Sequence, residues 1–178
     1  RGGFSLDQYF FTLTSQVGQV DIDVSACETT TFKMARGGIT AGTPLLKSIV
    51  VCLSESWPQW TTFDDFYESV LQKLPEHCRP QEKGGRKKVL ELLHTLFRNG
   101  FLDASLHPPR FTLIPSDKPL ASVLARAQAR RVDEITSCRH EGVKLSTLER
   151  LVLMQLDGQH DQNSIAEILQ RDADSEMP

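Results

Sequence analysis

The sequence predicts an α+β chain, mostly helical, and three observations carry that prediction. Residues 1–43 show little helical periodicity but hold strand-like runs of aromatic and β-branched residues. Residues 44–98 repeat apolar positions at helical spacing three times, and further helical patterns occur after position 119. The composition suits packed cores: 39% apolar and 24% charged over 178 residues, with 20 basic and 23 acidic side chains. Such a chain is too apolar to be disordered and long enough for one large core or two small ones. A net charge of −3 argues against a generic binder of nucleic acid or anionic membrane. The densest apolar run, Ile49 to Leu53, falls far short of a membrane span. No basic flank precedes an apolar core, so no signal peptide is read. The chain begins at Arg1 rather than Met and therefore reads as a piece of a longer protein.

In the first segment, residues 1–43, Tyr9 to Thr14 and Thr29 to Met34 are strand candidates, and Arg36-Gly37-Gly38 turns the chain into a short third strand at Ile39-Thr40. The two glycines form a turn, because no phosphate-cradling motif surrounds them. The segment is too small to fold alone, so it packs on the helices after Thr43 or completes a domain that began before Arg1.

The second segment, residues 44–114, opens at Thr43-Pro44, a cap residue with Pro next to it in the first turn. Leu45, Leu46, Ile49, Val50 and Leu53 line one helix face until Trp57-Pro58 stops it. Thr62 to Asp65 opens a second helix with acids where the helix dipole favours them. Its stripe is Phe63, Phe66, Tyr67, Val70, Leu71 and Leu74. After a Pro- and Gly-bearing loop, a third helix is expected from about Arg86 to Arg98, closed by Asn99-Gly100. Phe101-Leu102 and Arg110 to Ile114 then read as a β-hairpin. Three helices and a hairpin make a winged-helix unit.

That layout raises DNA binding through Arg86, Lys87, Lys88 and Arg98, since recognition helices contact DNA near their start. Against it, the segment holds nine basic and eight acidic residues, and Glu91 shares the outward face. A carboxylate among phosphate-contacting cations repels the backbone. Protein contact is therefore the preferred reading, with a DNA-binding transcription regulator as the alternative.

The third segment, residues 115–178, predicts a helix over Pro119 to Arg131 bearing Arg126, Arg130 and Arg131. An irregular or partly extended stretch to Leu145 encloses Ser137-Cys138-Arg139-His140. Ser146-Thr147-Leu148-Glu149 is a capping box that opens another helix, Asp157-Gly158 ends it, and Asn163 or Ser164 caps the last one. This is a second, helix-turn-helix-like unit, and a third helix is missing near Pro178.

Arg139 and His140 could together recognise a carboxylate or phosphate, or hold the irregular stretch by hydrogen bonds to carbonyls. Arg126 and Arg130 suit solvent or an acidic partner surface, and Trp57 and Trp60 suit core packing or a peptide groove. His77-Cys78 lacks an orienting acid, and a hydrolase using His140 with Asp157 or Asp161 lacks a nucleophile pattern. Cys27, Cys52, Cys78 and Cys138 have no metal-ligand spacing and read as free thiols of a reducing, cytosolic chain.

Pro119 to Ala129, Arg139 to Val143, Leu145 to Arg150, Leu156-Asp157-Gly158 and the earlier Trp57-Pro58 also carry a likeness. In this order they resemble the region after the catalytic domain in some bacterial S-adenosylmethionine-dependent methyltransferases, protein-lysine methyltransferases among them. The resemblance spans roughly residues 44–170. It implies a regulatory region and a C-terminal winged-helix region, with S-adenosylmethionine bound by an upstream catalytic domain. No strand with an acidic, Gly-rich cofactor loop occurs here, so the resemblance implies no cofactor, metal or catalytic residue in this chain. The catalytic domain is the expected partner, with a protein substrate and a second copy as further candidates and neither nucleic acid nor membrane expected.

Overall fold

A computed structural model describes residues 5–18, 22–26, 28–108 and 111–175, which hold six α-helices and six short strands. The architecture is α+β, and the chain divides into two compact units, residues 1–108 and 109–178.

The first unit begins with a 3-10 turn at Leu6–Gln8 and strand β1 at Phe10–Leu13. Strands β2 (Thr30–Met34) and β3 (Gly37–Ala41) pair antiparallel, with Phe32 opposite Ile39 and both side chains buried. Gly37 turns the hairpin at φ 110°, a conformation that favours glycine. Helix α1, Pro44–Ser56, starts as expected: the Thr43 side chain accepts the Leu46 N–H, and Pro44 occupies the first turn. Helix α2, Phe63–Lys73, is capped by Thr62, which accepts the Asp65 N–H.

Helix α3 runs Glu82–Arg98 and so starts one turn before Arg86. Gly84 and Gly85, expected in a loop, are helical, although glycine costs roughly 1 kcal/mol against alanine in a helix interior. Packing explains Gly85: a Cβ there would meet the Tyr67 hydroxyl at 2.6 Å and Pro80 Cγ at 3.0 Å. The helix ends as its sequence indicates, with Gly100 at φ 76° and its N–H donated to the Phe97 carbonyl at 2.9 Å.

Strand β4, Leu102–Ser105, corrects the expected hairpin. Its partner is β1, antiparallel from Phe10 opposite Ser105 to Leu13 opposite Leu102, while residues 111–114 form no strand. Arg110 lies outside the described residues. The N-terminal segment thus supplies the second strand after the three helices, and it shares their core. Phe11, Leu13, Ile49, Leu53, Val70, Val89, Leu93 and Leu102 are buried in one cluster, with Phe11 edge-on to Phe66 at 5.3 Å between ring centres. Each such side chain contributes about 1.5–3 kcal/mol on burial. Lys47 is buried with them, 1% exposed, and donates from Nζ to the Ala26 carbonyl at 2.8 Å.

The second unit holds α4 (Val123–Ala129), the antiparallel hairpin β5 (Glu134–Thr136) and β6 (Gly142–Lys144), α5 (Thr147–Gln155) and α6 (Gln162–Ser175). Its small core is Ala125, Ala129 and Ile135, backed by Leu145, Leu153 and Met154. The first helix is shorter than the predicted Pro119 to Arg131. Residues 119–121 are instead extended along the α5–α6 turn: Ala121 N–H donates to the Leu156 carbonyl at 2.8 Å, and Gly158 N–H to Pro119 at 3.1 Å. Ser122 then caps α4 by accepting the Ala125 N–H. The capping box of α5 forms in full between Ser146 and Glu149. The last helix is capped by neither Asn163 nor Ser164; Asp161 Oδ1 accepts the Ser164 N–H at 2.8 Å.

Candidate functional site

The start of α3 carries the residues of the DNA-binding alternative, and two of the four cations are engaged within the unit. The Arg86 guanidinium lies over the rings of Phe63 (4.9 Å) and Tyr67 (5.2 Å) and is ion-paired with Asp64. Lys87 approaches Glu91 one turn on, at 3.9 Å. Lys88 is exposed, and Arg98 lines a surface cavity with Glu91, His94, Thr95 and Phe97. Trp57 and Trp60 are half-buried in the connection from α1 to α2, with Trp57 packed against the core.

In the second unit, Arg139 and His140 sit in the turn joining β5 to β6. Ser137 organises that turn: its Oγ accepts the N–H of Arg139 at 3.1 Å and of Glu141 at 3.2 Å, and its carbonyl accepts the His140 N–H at 3.0 Å. His140 occupies the left-handed region at φ 61°, and its side chain is exposed. The Arg139 side chain is only 11% exposed and lies 3.6 Å from Glu141. Arg126 is half-buried on α4, with its Nε buried and without a hydrogen-bond partner among the described residues, while Arg130 is exposed. No sequence pattern marks Arg150, yet its Nε donates to the Ala129 carbonyl at 2.9 Å and satisfies the end of α4.

The acids considered for a hydrolase have other work. Asp157 Oδ1 accepts the Gln159 N–H at 2.8 Å and meets His160 Nδ1 at 3.1 Å. The Gln159 backbone bond is the main cause that holds the Asp157 carboxyl below its ordinary range, and the Ser164 backbone bond does the same for Asp161. Cys52 is buried, which pushes its thiol up to about 11 and leaves it without thiolate character. Cys78 and Cys138 are also free thiols, and Cys27 lies outside the described residues. Among the described residues no group of three His, Cys, Asp or Glu could hold a metal ion. None of their helices is long and apolar enough to cross a membrane.

One concave feature of the second unit is an apolar groove of about 550 Å3 between α4, β5 and α5. Phe111, Leu120, Val123, Ile135, Cys138 and Leu153 line it. Beside it, Leu120 (70%), Val123 (75%) and Leu124 (59%) stand exposed on and just before α4. Periodicity alone could not find this surface, because its lining comes from three separate elements and from residues before α4. Such a surface offers contact with an apolar partner.

A small helical unit with one short hairpin has the layout of a winged helix. The family model described as PKMT, C-terminal winged helix domain, matches residues 117–177. The resemblance to the C-terminal winged-helix region of methyltransferases therefore holds, and the matched part is not a catalytic domain. Two solved structures share the fold over nearly the whole chain. The structure of PKMT2 from Rickettsia typhi in complex with AdoHcy has a TM-score of 0.74 at 19% identity, covering 96% of this chain and 35% of that one. The structure of PKMT2 from Rickettsia typhi gives 0.75 at 18%, covering 97% and 36%. At these identities the likeness is one of fold, and the chain spans about a third of the length of either structure. No curated protein matches the chain.

Proposed function

We propose that this chain is the non-catalytic, C-terminal part of a bacterial, cytoplasmic, S-adenosylmethionine-dependent protein methyltransferase. In this reading it regulates the enzyme, positions its protein substrate or joins two copies, and its first partner is the catalytic domain of the same protein. The observation that carries the reading is the family match over residues 117–177, which falls on the unit with the exposed apolar groove. The solved structures of like fold are longer, and one of them holds AdoHcy, which points to the cofactor of the parent rather than of this part. The cofactor would be bound outside this chain, whose described residues form no acidic, Gly-rich loop after a strand.

DNA reading gains nothing from the start of α3. Arg86 spends its charge on Asp64 and its planar face on two rings, and Lys87 has Glu91 within reach. A phosphate contact there would first have to displace those partners. Titration of the purified chain with AdoHcy in a calorimeter is expected to give no binding heat. Saturable binding, or methylation of a protein by the chain unaided, overturns the reading. A gel shift that weakens steeply with salt and on Lys87→Ala with Lys88→Ala would favour DNA instead.

A further inference from the structure

Helix α4 keeps part of its surface in solvent, and that surface changes character along the helix. Val123 and Leu124 stand exposed in its first turn, and Arg130 and Arg131 are exposed at its end. Arg130, the C-cap, keeps helical backbone at φ −69° and ψ −22°, so it continues the column of Val123 about two turns, or roughly 10 Å, further on. Arg126 lies between them on the groove side, one turn after Ser122 and Val123, which both line the groove. Its Nε is buried without a hydrogen-bond partner among the described residues. These arginine side chains are not needed to finish the helix. The Ala129 carbonyl accepts from Arg150 Nε at 2.9 Å, and the Gln128 carbonyl accepts the backbone N–H groups of Arg131 and Val132, each at 2.9 Å. Nor do the neighbouring acids engage them. Asp133 lies 3.7 Å from Lys144, Glu134 stands opposite Lys144 in the hairpin, and Glu141 lies 3.6 Å from Arg139. No ion pair among the described residues involves Arg126, Arg130 or Arg131.

We infer that α4 and the groove beside it dock an acidic amphipathic segment of a partner protein. This deepens the proposed function and rests on it, by naming the chemistry of the partner that such a non-catalytic part would hold. Apolar side chains of the segment enter the groove and cover Leu120, Val123 and Leu124. Carboxylates placed about two turns away then meet Arg130 and Arg131, whose planar forks suit bidentate pairing. Charge decides between occupants. Residues 119–150 hold six basic and four acidic side chains, so the net −3 of the chain is not shared by this face. A broad anionic surface such as a bilayer feels the charge of the whole chain. A short segment lying within a Debye length of α4 feels mainly the arginines.

Two synthetic amphipathic peptides of about 15 residues test this on the whole chain, one built of Leu and Glu and the other with Lys for Glu. In an NMR titration the Leu/Glu peptide is expected to move the amide signals of α4 and the β5–β6 hairpin saturably. The Leu/Lys peptide should bind at least about tenfold more weakly. Added salt should weaken the Leu/Glu complex, and the exposed Cys138 thiol in the groove should react more slowly with a thiol reagent when that peptide is bound. Arg130→Gln with Arg131→Gln should weaken the complex roughly fivefold, and Val123→Gln with Leu124→Gln roughly tenfold. The proposal is overturned by no saturation at about 1 mM Leu/Glu peptide, by equal binding of the two peptides, or by unchanged affinity in both variants. It is also overturned if α4 signals move on dilution of the chain alone, which would put a second copy on this face. Phosphatidylserine vesicles that broaden α4 signals where the peptide does not would put a membrane there instead. Should the arginine variant fail to fold, the two peptides on the natural chain still decide. A chain that binds neither peptide nor AdoHcy loses this proposal and keeps the wider reading, whereas one that binds AdoHcy loses the wider reading.

Discussion

Among the described residues, the first unit gathers 21 buried side chains into one apolar cluster, whereas the second gathers three. The exposed large apolar side chains divide the other way. Leu113, Ile114, Leu120, Val123, Leu124, Val132, Val143 and Leu148 are exposed in the second unit, against Phe10 and Leu106 in the first. Size is part of the cause, since a small domain buries a smaller share of its surface. Helix length is the rest. Helix α4 has 7 residues and α5 has 9, so each presents only two turns or so to a core, and no residue of α5 is fully buried. The first unit accounts for its own apolar surface. The second leaves large apolar side chains in solvent.

Truncation in each core breaks this comparison most directly. Phe11→Ala removes a ring that is fully buried and packed edge-on to Phe66, and should cost about 3–5 kcal/mol. Both tryptophans, Trp57 and Trp60, lie in the first unit, so urea denaturation monitored by tryptophan fluorescence reads that loss selectively. Ile135→Ala, at a position 9% exposed in the smaller core, should cost about 2 kcal/mol. Its effect should register in the amide signals of residues 111–175 and leave the fluorescence midpoint in place. Equal losses in both signals for either variant would mean that the two cores do not respond separately.

Ser146→Ala comes next, since it removes one half of the α5 capping box and should cost about 1 kcal/mol in the second unit. The box also predicts a pH response. Hydrogen bonds from the Ser146 backbone N–H and hydroxyl hold the Glu149 carboxyl below its ordinary range. A depressed folded-state pKa stabilises above the unfolded value and is lost as pH falls through the folded one. The contribution should therefore be intact at neutral pH and disappear below the usual glutamate range, about 4.3. In Ser146→Ala the acid end of the stability profile should be flatter.

The smallest change in stability is expected where the surface is most exposed. Val123→Gln with Leu124→Gln should shift the denaturation midpoint of the second unit by no more than about 0.5 kcal/mol. A loss of about 2 kcal/mol or more would show that these side chains serve the fold and not a partner.

Much of the helical framework was legible. Thr43-Pro44, Thr62, Asn99-Gly100 and the Ser146–Glu149 box each satisfy orphan backbone groups within a few residues, so a local pattern suffices to read them. The misreadings share one cause. Gly85 joined α3 because Tyr67 and Pro80 leave no room for a side chain there, and those neighbours are not encoded at position 85. The first helix of the second unit lost its opening turn because Pro119 and Ala121 bond to Gly158 and Leu156, more than 30 residues away. The candidate site was legible only in its loop residues. Arg139 and His140 stood out by type, but the groove above Ile135 arises from how three elements meet.

Sequence by itself determined which segments are helical and where most of them begin and end, because these depend on spacing and nearest neighbours. Tertiary structure alone decided which strand pairs with which. The edge of β4 accepts any extended segment of suitable pattern, and the one that reached it, β1, lies some 90 positions upstream. The same long-range choice brought the Leu6 amide to His94 and left Val123 and Leu124 uncovered, since burial depends on what the rest of the chain brings near.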